Sequence, residues 1–227
     1  MISVIIPTLN ISVIIPTLND ERTLVATLTA LVPAVVDGIV QEAILSDGGS
    51  RDDTRIIADA AGVHLIDAPR GRVAQLEAGA SLARGEWLLF LPAGTALEPG
   101  WAEEAHGFIE RVQSGRRRQA AAFFRFALDD DGFTPRLFER LVQLRSVMLA
   151  QPHGDQGMLI SRKHYERLRS AARRPRRSEI VMLKSRGVTS GERYRRDGYF
   201  AGGLRNAGLA LLHFLRAPAR AVSRRYG

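Results

Sequence analysis

Apolar and polar positions follow two different periods along this chain, and the places where one gives way to the other mark its elements. Ile11–Asn19 (ISVIIPTLN) is a β-branched run that breaks off in small polar residues, as does Glu42–Leu45 before Asp47-Gly48-Gly49-Ser50. Between them the spacing predicts a helix from Glu21 to about Ala34, with Leu24, Leu28 and Leu31 on one face and Pro33 as its stop. Strand, turn, helix, strand, turn is a βαβ unit, and parallel sheets of such units bind ligands at the carboxyl ends of their strands.

The same alternation continues. A helix is expected over Arg51–Ala61 with Ile56 and Ile57 inward, a strand over Val63–Ile66 and a helix over Val73–Ala83. In that last helix Ala74, Ala78 and Gly79 allow close packing. Glu86–Leu91 is a continuous apolar run, which suits a strand buried on both faces. It ends in Pro92-Ala93-Gly94-Thr95. Further on the pattern predicts a helix over Trp101–Val112 and a strand over Ala120–Leu128. An amphipathic helix over Arg136–Leu149 follows, its apolar face carrying Leu137, Leu141, Leu144 and Met148. After it come a tight polar turn and short strand in His153–Arg162, a basic irregular stretch over 163–179, a last strand at Val181–Leu183 and a helix over Leu204–Leu215. Strands alternating with helices argue for an α/β fold with a mainly parallel central sheet flanked by helices, a Rossmann-like three-layer sandwich.

Residues 2–10 and 11–19 are the same nonapeptide. Only one copy can be the central strand, and the second is contiguous with the helix that follows. Residues 1–10 are therefore expected to be extra to the fold, residues 11–203 to form one domain, and residues 204–227 a basic amphipathic helix.

Composition narrows the chemistry. The 227 residues carry a net charge of +8 and no cysteine, which excludes thiolate zinc sites and cysteine nucleophiles. The excess positive charge points to polyanionic partners, among them diphosphates and anionic lipid headgroups. Nucleic acid is disfavoured, because the arginine-rich runs lack interleaved aromatics. No apolar run approaches the ~20 residues that span a bilayer, and the N-terminus lacks signal-peptide character, so a cytoplasmic location is expected. For the helix over Leu204–Leu215, with Leu204, Leu211, Leu212, Phe214 and Leu215 among flanking arginines, two readings stand. It either lies on an anionic membrane, bringing the protein to a lipid-linked acceptor, or packs on the domain.

Several turns can carry chemistry. Asp47 follows a strand and precedes two glycines, so its carboxylate can face a ligand; the alternative is that the turn is a helix N-cap, with Ser50 and Asp52 as the capping residues. Arg70 and Arg72 around Gly71 can clamp phosphate. Asp129, Asp130 and Asp131 could form a metal cluster, although three acids before a glycine more often make a turn.

Taken in order, ISVIIPTLNDERTL, SDGGSRDDT and RGRVAQLEAGASLARGEWLLFLPAGT resemble the inverting glycosyltransferases of family 2, with the GT-A fold. HGDQGMLISR resembles an element of a bacterial subgroup associated with radical SAM or selenium-related clusters. The resemblance implies a nucleotide-diphosphate-sugar donor lined by Pro16, Thr17, Leu18, Asn19 and Asp20. Asp47 and Gly48 would meet the base, Arg72 the base or diphosphate, and Gly94 the sugar-diphosphate side. Gly154, Asp155, Gln156, Arg193 and Tyr194 would lie on the acceptor side; Asp155 could act as base or serve only to fix its turn, and Arg193 and Tyr194 could meet the acceptor or belong to a solvated loop.

The resemblance also implies Mg²⁺ or Mn²⁺, yet Gly94 stands where the family has its metal-binding acid, and glycine offers no side-chain oxygen. The Glu-Asp motif that supplies the usual base is missing downstream, and Glu77 replaces the usual Asn. Arginines 173, 174, 176 and 177 could stand in for the metal's charge. Two functions follow as expectations: sugar transfer with inversion, or a catalytically degenerate module that keeps nucleotide-sugar or partner binding.

Overall fold

A computed structural model describes residues 9–149, 154–173 and 175–197. They form one eight-stranded sheet between helices, in the order β3-β2-β1-β4-β7-β6-β8-β5. β1 (Ile11–Thr17), β2 (Val40–Asp47), β3 (His64–Asp67) and β4 (Trp87–Phe90) run parallel. They are linked by α1 (Glu21–Val36), α2 (Thr54–Ala60) and α3 (Arg72–Leu82). β7 (Met158–Ser161) is antiparallel to β4 and to β6 (Ala121–Asp129), while β8 (Ile180–Ser190) runs parallel to β6 and antiparallel to β5 (Thr95–Leu97).

The central strands are buried on both sides. Val13, Ile15, Leu45, Leu89 and Leu91 face a core shared with α1 and with α4 (Trp101–Gln113), whose Trp101 and Phe108 are buried. Ile14, Ile44, Leu88 and Phe90 face the opposite side, against α3 and α6 (Arg162–Ser170). That two-sided burial is why β1 and β4 read as unbroken apolar runs. Arg162 secures the end of α3 by donating to the carbonyls of Ala80, Ala83 and Gly85.

Several elements depart from the sequence pattern. α1 passes through Pro33 to Val36, and the Pro33 carbonyl accepts from Asp37 N at 2.9 Å. Ile56 is exposed, because α2 begins only at Thr54 and turns Thr54 and Ala58 inward instead. β5 was not anticipated, being three residues long. The basic stretch after Ser161 contains the helix α6, capped where the Ser161 hydroxyl accepts from His164 N. The last strand runs to Ser190 rather than Leu183.

The largest correction concerns α5 (Phe133–Leu149). Its buried face is Phe138 and Val142, packed on Phe126 and Leu128 of β6, while Leu137, Leu141 and Leu144 point to solvent. Of the first nonapeptide copy, Leu9 is buried and the Asn10 carbonyl accepts from Trp87 N at 3.0 Å, so these two residues belong to the fold. Residues 1–8 and the expected helix over 204–215 lie outside the described residues. Among the described residues no helix is long and apolar enough to cross a membrane.

Candidate functional site

The parallel register aligns Thr17 with Asp47, and the ladder continues one step further, Gly48 N donating to the Thr17 carbonyl at 2.9 Å. The loops beyond these strand tips are stitched together. Asn19 N donates to Ser50 Oγ (2.9 Å), Asn19 Oδ1 accepts from Arg51 N (2.8 Å) and Asp20 N donates to Thr54 Oγ1 (2.9 Å). Glu21 N reaches Asp52 Oδ2 (3.0 Å), and Leu18 N is taken up by Asp20 Oδ2 (2.8 Å). Asn19 adopts φ 57°, a left-handed conformation that Asn tolerates better than most residues and that makes this reciprocal contact reachable. Pro16 and Leu18 are half-buried at the same edge and Asn19 is exposed.

Asp47 is almost fully enclosed. Its carboxylate accepts from Ser50 N, the Ser50 hydroxyl, Thr17 Oγ1 (3.4 Å) and Arg55 Nη1 (3.0 Å). Burial alone would push its pKa up, but the Ser50 bonds and the Arg55 guanidinium outweigh it and hold the carboxyl below its ordinary value. Arg55 is itself shared with Asp67 at 2.6 Å. Beside this turn, Gln75 Nε2 donates to the carbonyls of Thr17 (2.6 Å) and Ser46 (2.9 Å), tying α3 to both strand tips. A Cβ on Gly48 would stand 3.0 Å from Gln75 Nε2, so a glycine there keeps the turn tight against α3.

Gly71 leads into α3 with φ 125°, which glycine adopts without strain, and directs Arg72 from the first turn of the helix. Arg72 spans to the turn before β7, where Nη1 meets Asp155 Oδ1 at 3.1 Å and Nη2 meets the Gly154 carbonyl. Asp155 is 2% exposed and also accepts from Tyr194 Oη at 2.7 Å. Its carbonyl receives the hydroxyls of Thr95 and Thr189, both at 3.3 Å. Gln156 is buried, donating to the Phe124 carbonyl (3.1 Å) and accepting from Ser146 Oγ (3.2 Å). Tyr194 lies in α7 (Glu192–Asp197), packed on Phe126 and Phe138. The Arg193 side chain lies outside the described residues.

The structure thus brings Pro16–Asp20, Asp47 and Gly48 to one edge, and joins Arg72 with Gly154, Asp155 and Tyr194. Tyr194 was singled out in the sequence, but its bond to Asp155 was not foreseen, since 39 residues separate them. Gln75 and Arg55 were missed, and Ser50, read as a helix cap, is the hydrogen-bond partner of Asp47. A polar side chain in the first turn after a strand, as in Ser50, was the one signal available.

The donors at this edge do not fit a divalent cation. Gly94 contributes only a backbone carbonyl, which accepts from Ser190 N at 3.0 Å. A Cβ at Gly94 would find Thr23 Oγ1 no nearer than 3.5 Å and the backbone needs no glycine, so sterics are not what excludes a carboxylate. Among the described residues no group of three or more His, Cys, Asp or Glu could hold a metal ion. Asp129, Asp130 and Asp131 end β6 instead, where Arg195 pairs with Asp130 (3.0 Å) and Arg136 with Asp131 (3.6 Å). Nor does Arg173 replace a metal's charge: it pairs with Glu179 at 2.8 Å, and that guanidinium holds the Glu179 carboxyl down at about 2. Arg174 lies outside the described residues. Glu77 meets Arg169 at 3.6 Å.

Four parallel strands whose tips are tied into one polar edge form half of this sheet, and residues 12–169 match the model of glycosyl transferase family 2. The chain belongs to that family and has the GT-A fold. It is 38% identical over 110 residues to a PGL/p-HBAD biosynthesis glycosyltransferase of Mycobacterium bovis. The same figure holds for that of Mycobacterium tuberculosis. Each match covers 43% of this chain and spans only 36% of the relative.

Among solved structures, glucosyl-3-phosphoglycerate synthase from Mycobacterium tuberculosis, in complex with Mn²⁺, UDP and glucosyl-3-phosphoglycerate, superimposes with a TM-score of 0.59 at 18% identity. That superposition covers 92% of this chain and 81% of the other. Staphylococcus aureus TarS 1–349 gives a TM-score of 0.56 at 15% identity, covering 93% and 68%. At such identities these two speak for the fold alone.

Proposed function

We propose that this chain binds a nucleoside-diphosphate sugar at the β1–β2 edge and transfers the sugar with inversion to an acceptor hydroxyl. The observation that carries the reading is the junction at Thr17, Asp47 and Gly48, where two parallel strand tips and α3 are tied together at one polar edge. That Mycobacterium tuberculosis glucosyl-3-phosphoglycerate synthase was solved with UDP-glucose supports a uridine donor here. Placement in the radical SAM or selenium-associated subgroup rests on the GDQG sequence alone and is part of the proposal.

In this reading Leu18 and Asn19 flank the base and ribose, Asp47 holds the turn against which the base lies, and Arg72 faces the diphosphate. Arg72 supplies positive charge where the leaving group departs. Asp155, on the far side of Arg72, orients that guanidinium through the 3.1 Å ion pair. No step is routed through a metal, since the donor set does not fit one.

A second reading has its own support. The Asp155 carboxylate is shared by Arg72 and Tyr194, so the candidate base is already committed, as in a binding module that has lost turnover. Calorimetric titration with UDP-glucose in EDTA and in Mn²⁺, followed by an assay for donor hydrolysis, separates the two. Binding in EDTA with slow UDP release supports transfer, and binding without any release supports the module. Absence of binding under either condition removes both.

A further inference from the structure

Four neighbouring strands gather basic side chains at the edge of the sheet opposite the nucleotide edge. β4, β6 and β8 start there and β7 ends there: Trp87 pairs with Ser161, and Ala121 with both Ile160 and Ile180. The segments leading into or out of these strands therefore lie side by side, across about 15 Å at about 4.8 Å between strands. They carry Arg84, Arg116, Arg118, Lys163, Arg176 and Arg177, all exposed.

The charges at this edge are mostly of one sign. Arg84 meets Glu42 at 3.3 Å, and the other five have no ion-pair partner among the described residues. Glu179 is taken by Arg173 at 2.8 Å. In these segments Glu86 is then the one exposed acid without an ion-pair partner among the described residues. At the opposite edge charges of both signs pair, as Arg55 with Asp67 (2.6 Å) and Arg195 with Asp130 (3.0 Å).

The side chains present narrow the kind of partner. Trp87 is buried, and Tyr165 is packed on Phe90 with ring centroids 5.1 Å apart, so neither ring is open for stacking on a base. Guanidinium and ammonium groups spread along a sheet edge answer to negative charge density over an area, which the headgroups of an acidic bilayer present.

We propose that this edge docks on an anionic phospholipid surface. β1 runs away from it for seven residues, about 23 Å at about 3.3 Å each. The nucleotide edge of the proposed function then opens away from the bilayer, and the acceptor hydroxyl reaches it from solution. That orientation of the cleft rests on the proposed function; the docking itself does not.

Co-sedimentation of the full chain with vesicles of phosphatidylcholine, alone or mixed with phosphatidylglycerol, tests the docking. One variant combines Arg116→Glu, Arg118→Glu, Lys163→Glu and Arg177→Glu. A second combines Arg216→Glu, Arg220→Glu, Arg224→Glu and Arg225→Glu. Four reversals of two charges each take either variant from +8 to 0, so a difference between them reports position and not total charge. The wild type should sediment with the mixed vesicles only. The first variant should lose at least about tenfold in partitioning with its circular dichroism unchanged, and the second should stay within about twofold of the wild type. Equal loss in both variants, or loss in the second alone, would overturn the inference. So would equal binding of the wild type to both kinds of vesicle, or binding to neither. Tighter binding of the wild type to a duplex oligonucleotide than to the mixed vesicles would overturn it in favour of nucleic acid.

Discussion

Arg72 and Asp155 meet at 3.1 Å although 83 residues separate them, and Tyr194 closes on the other oxygen of the same carboxylate at 2.7 Å. Three elements distant in sequence, α3, the turn before β7 and α7, are thus held on one buried acid. Removing a partner from a buried carboxylate leaves it desolvated and under-bonded. Tyr194→Phe should therefore cost about 1–3 kcal/mol of folding stability, measured by urea denaturation. A midpoint unchanged from the wild type would mean that the bond contributes nothing to the fold.

Close packing of α3 on the sheet positions Arg72, and two glycines test this from opposite directions. A Cβ at Gly79 would fall 2.5 Å from Ile14 Cγ2 and 2.6 Å from Ser46 Oγ, so Gly79→Ala must push α3 away from β1. The expected loss is about 1–3 kcal/mol, typical of overpacking. Gly94→Ala, whose Cβ finds its nearest neighbour at 3.5 Å, should leave the urea midpoint within the error of the wild type. If both glycines tolerate alanine equally, α3 does not sit as described.

His164 gives a pH dependence with a defined sign. It is fully buried in α6, and among the described residues neither ring nitrogen has a hydrogen-bond partner. Burial lowers its pKa, with Glu179 opposing and Arg167 and Arg173 adding to the shift. The unfolded chain then takes up a proton near the ordinary value of 6.5 while the folded chain stays neutral. Stability is full above that value and falls as pH drops below it toward the lowered folded pKa. Thermal melts of the wild type should weaken on going from neutral to mildly acidic pH, and His164→Leu should flatten that slope. An identical slope in both proteins would locate the titrating group elsewhere.

How much of this was readable in advance depended on how local the cause was. β1 and β4 announced themselves because strands buried on both faces need near-continuous apolar runs, β2 showed a shorter run over Ala43–Leu45, and Thr17 and Asp47 followed from where those runs stop. The burial of α5 did not, because its two candidate faces, Leu137–Leu141–Leu144 and Phe138–Val142, are offset by one residue and both are apolar. Which one turns inward is decided by Phe126, Leu128 and Tyr194, none of them local to the helix. α6 was hidden by composition: RKHYERLRS buries only His164 and Leu168, too few to mark a face. The site was legible at its strand tips and illegible in its long-range ties. Nothing near Asp155 in the sequence signals Arg72 or Tyr194 as its partners.

Gly94→Asp probes the missing carboxylate. The position has room for a side chain, so the variant should fold as the wild type does. It should then bind UDP more tightly in Mn²⁺ than in EDTA by calorimetry, a difference the wild type lacks. If the variant shows no metal effect, Gly94 does not face the diphosphate.

The central claim is that the tips of β1 and β2 form the nucleotide cleft, and titrating UDP into the wild type and into Asp47→Ala tests it most directly. Loss of the carboxylate releases Ser50 and Arg55 and loosens the turn at Gly48. The account expects UDP to bind the wild type and the variant to bind more weakly by about 1–3 kcal/mol, the scale of a lost buried hydrogen bond. Equal affinity in the two proteins, or no binding to the wild type, would contradict it.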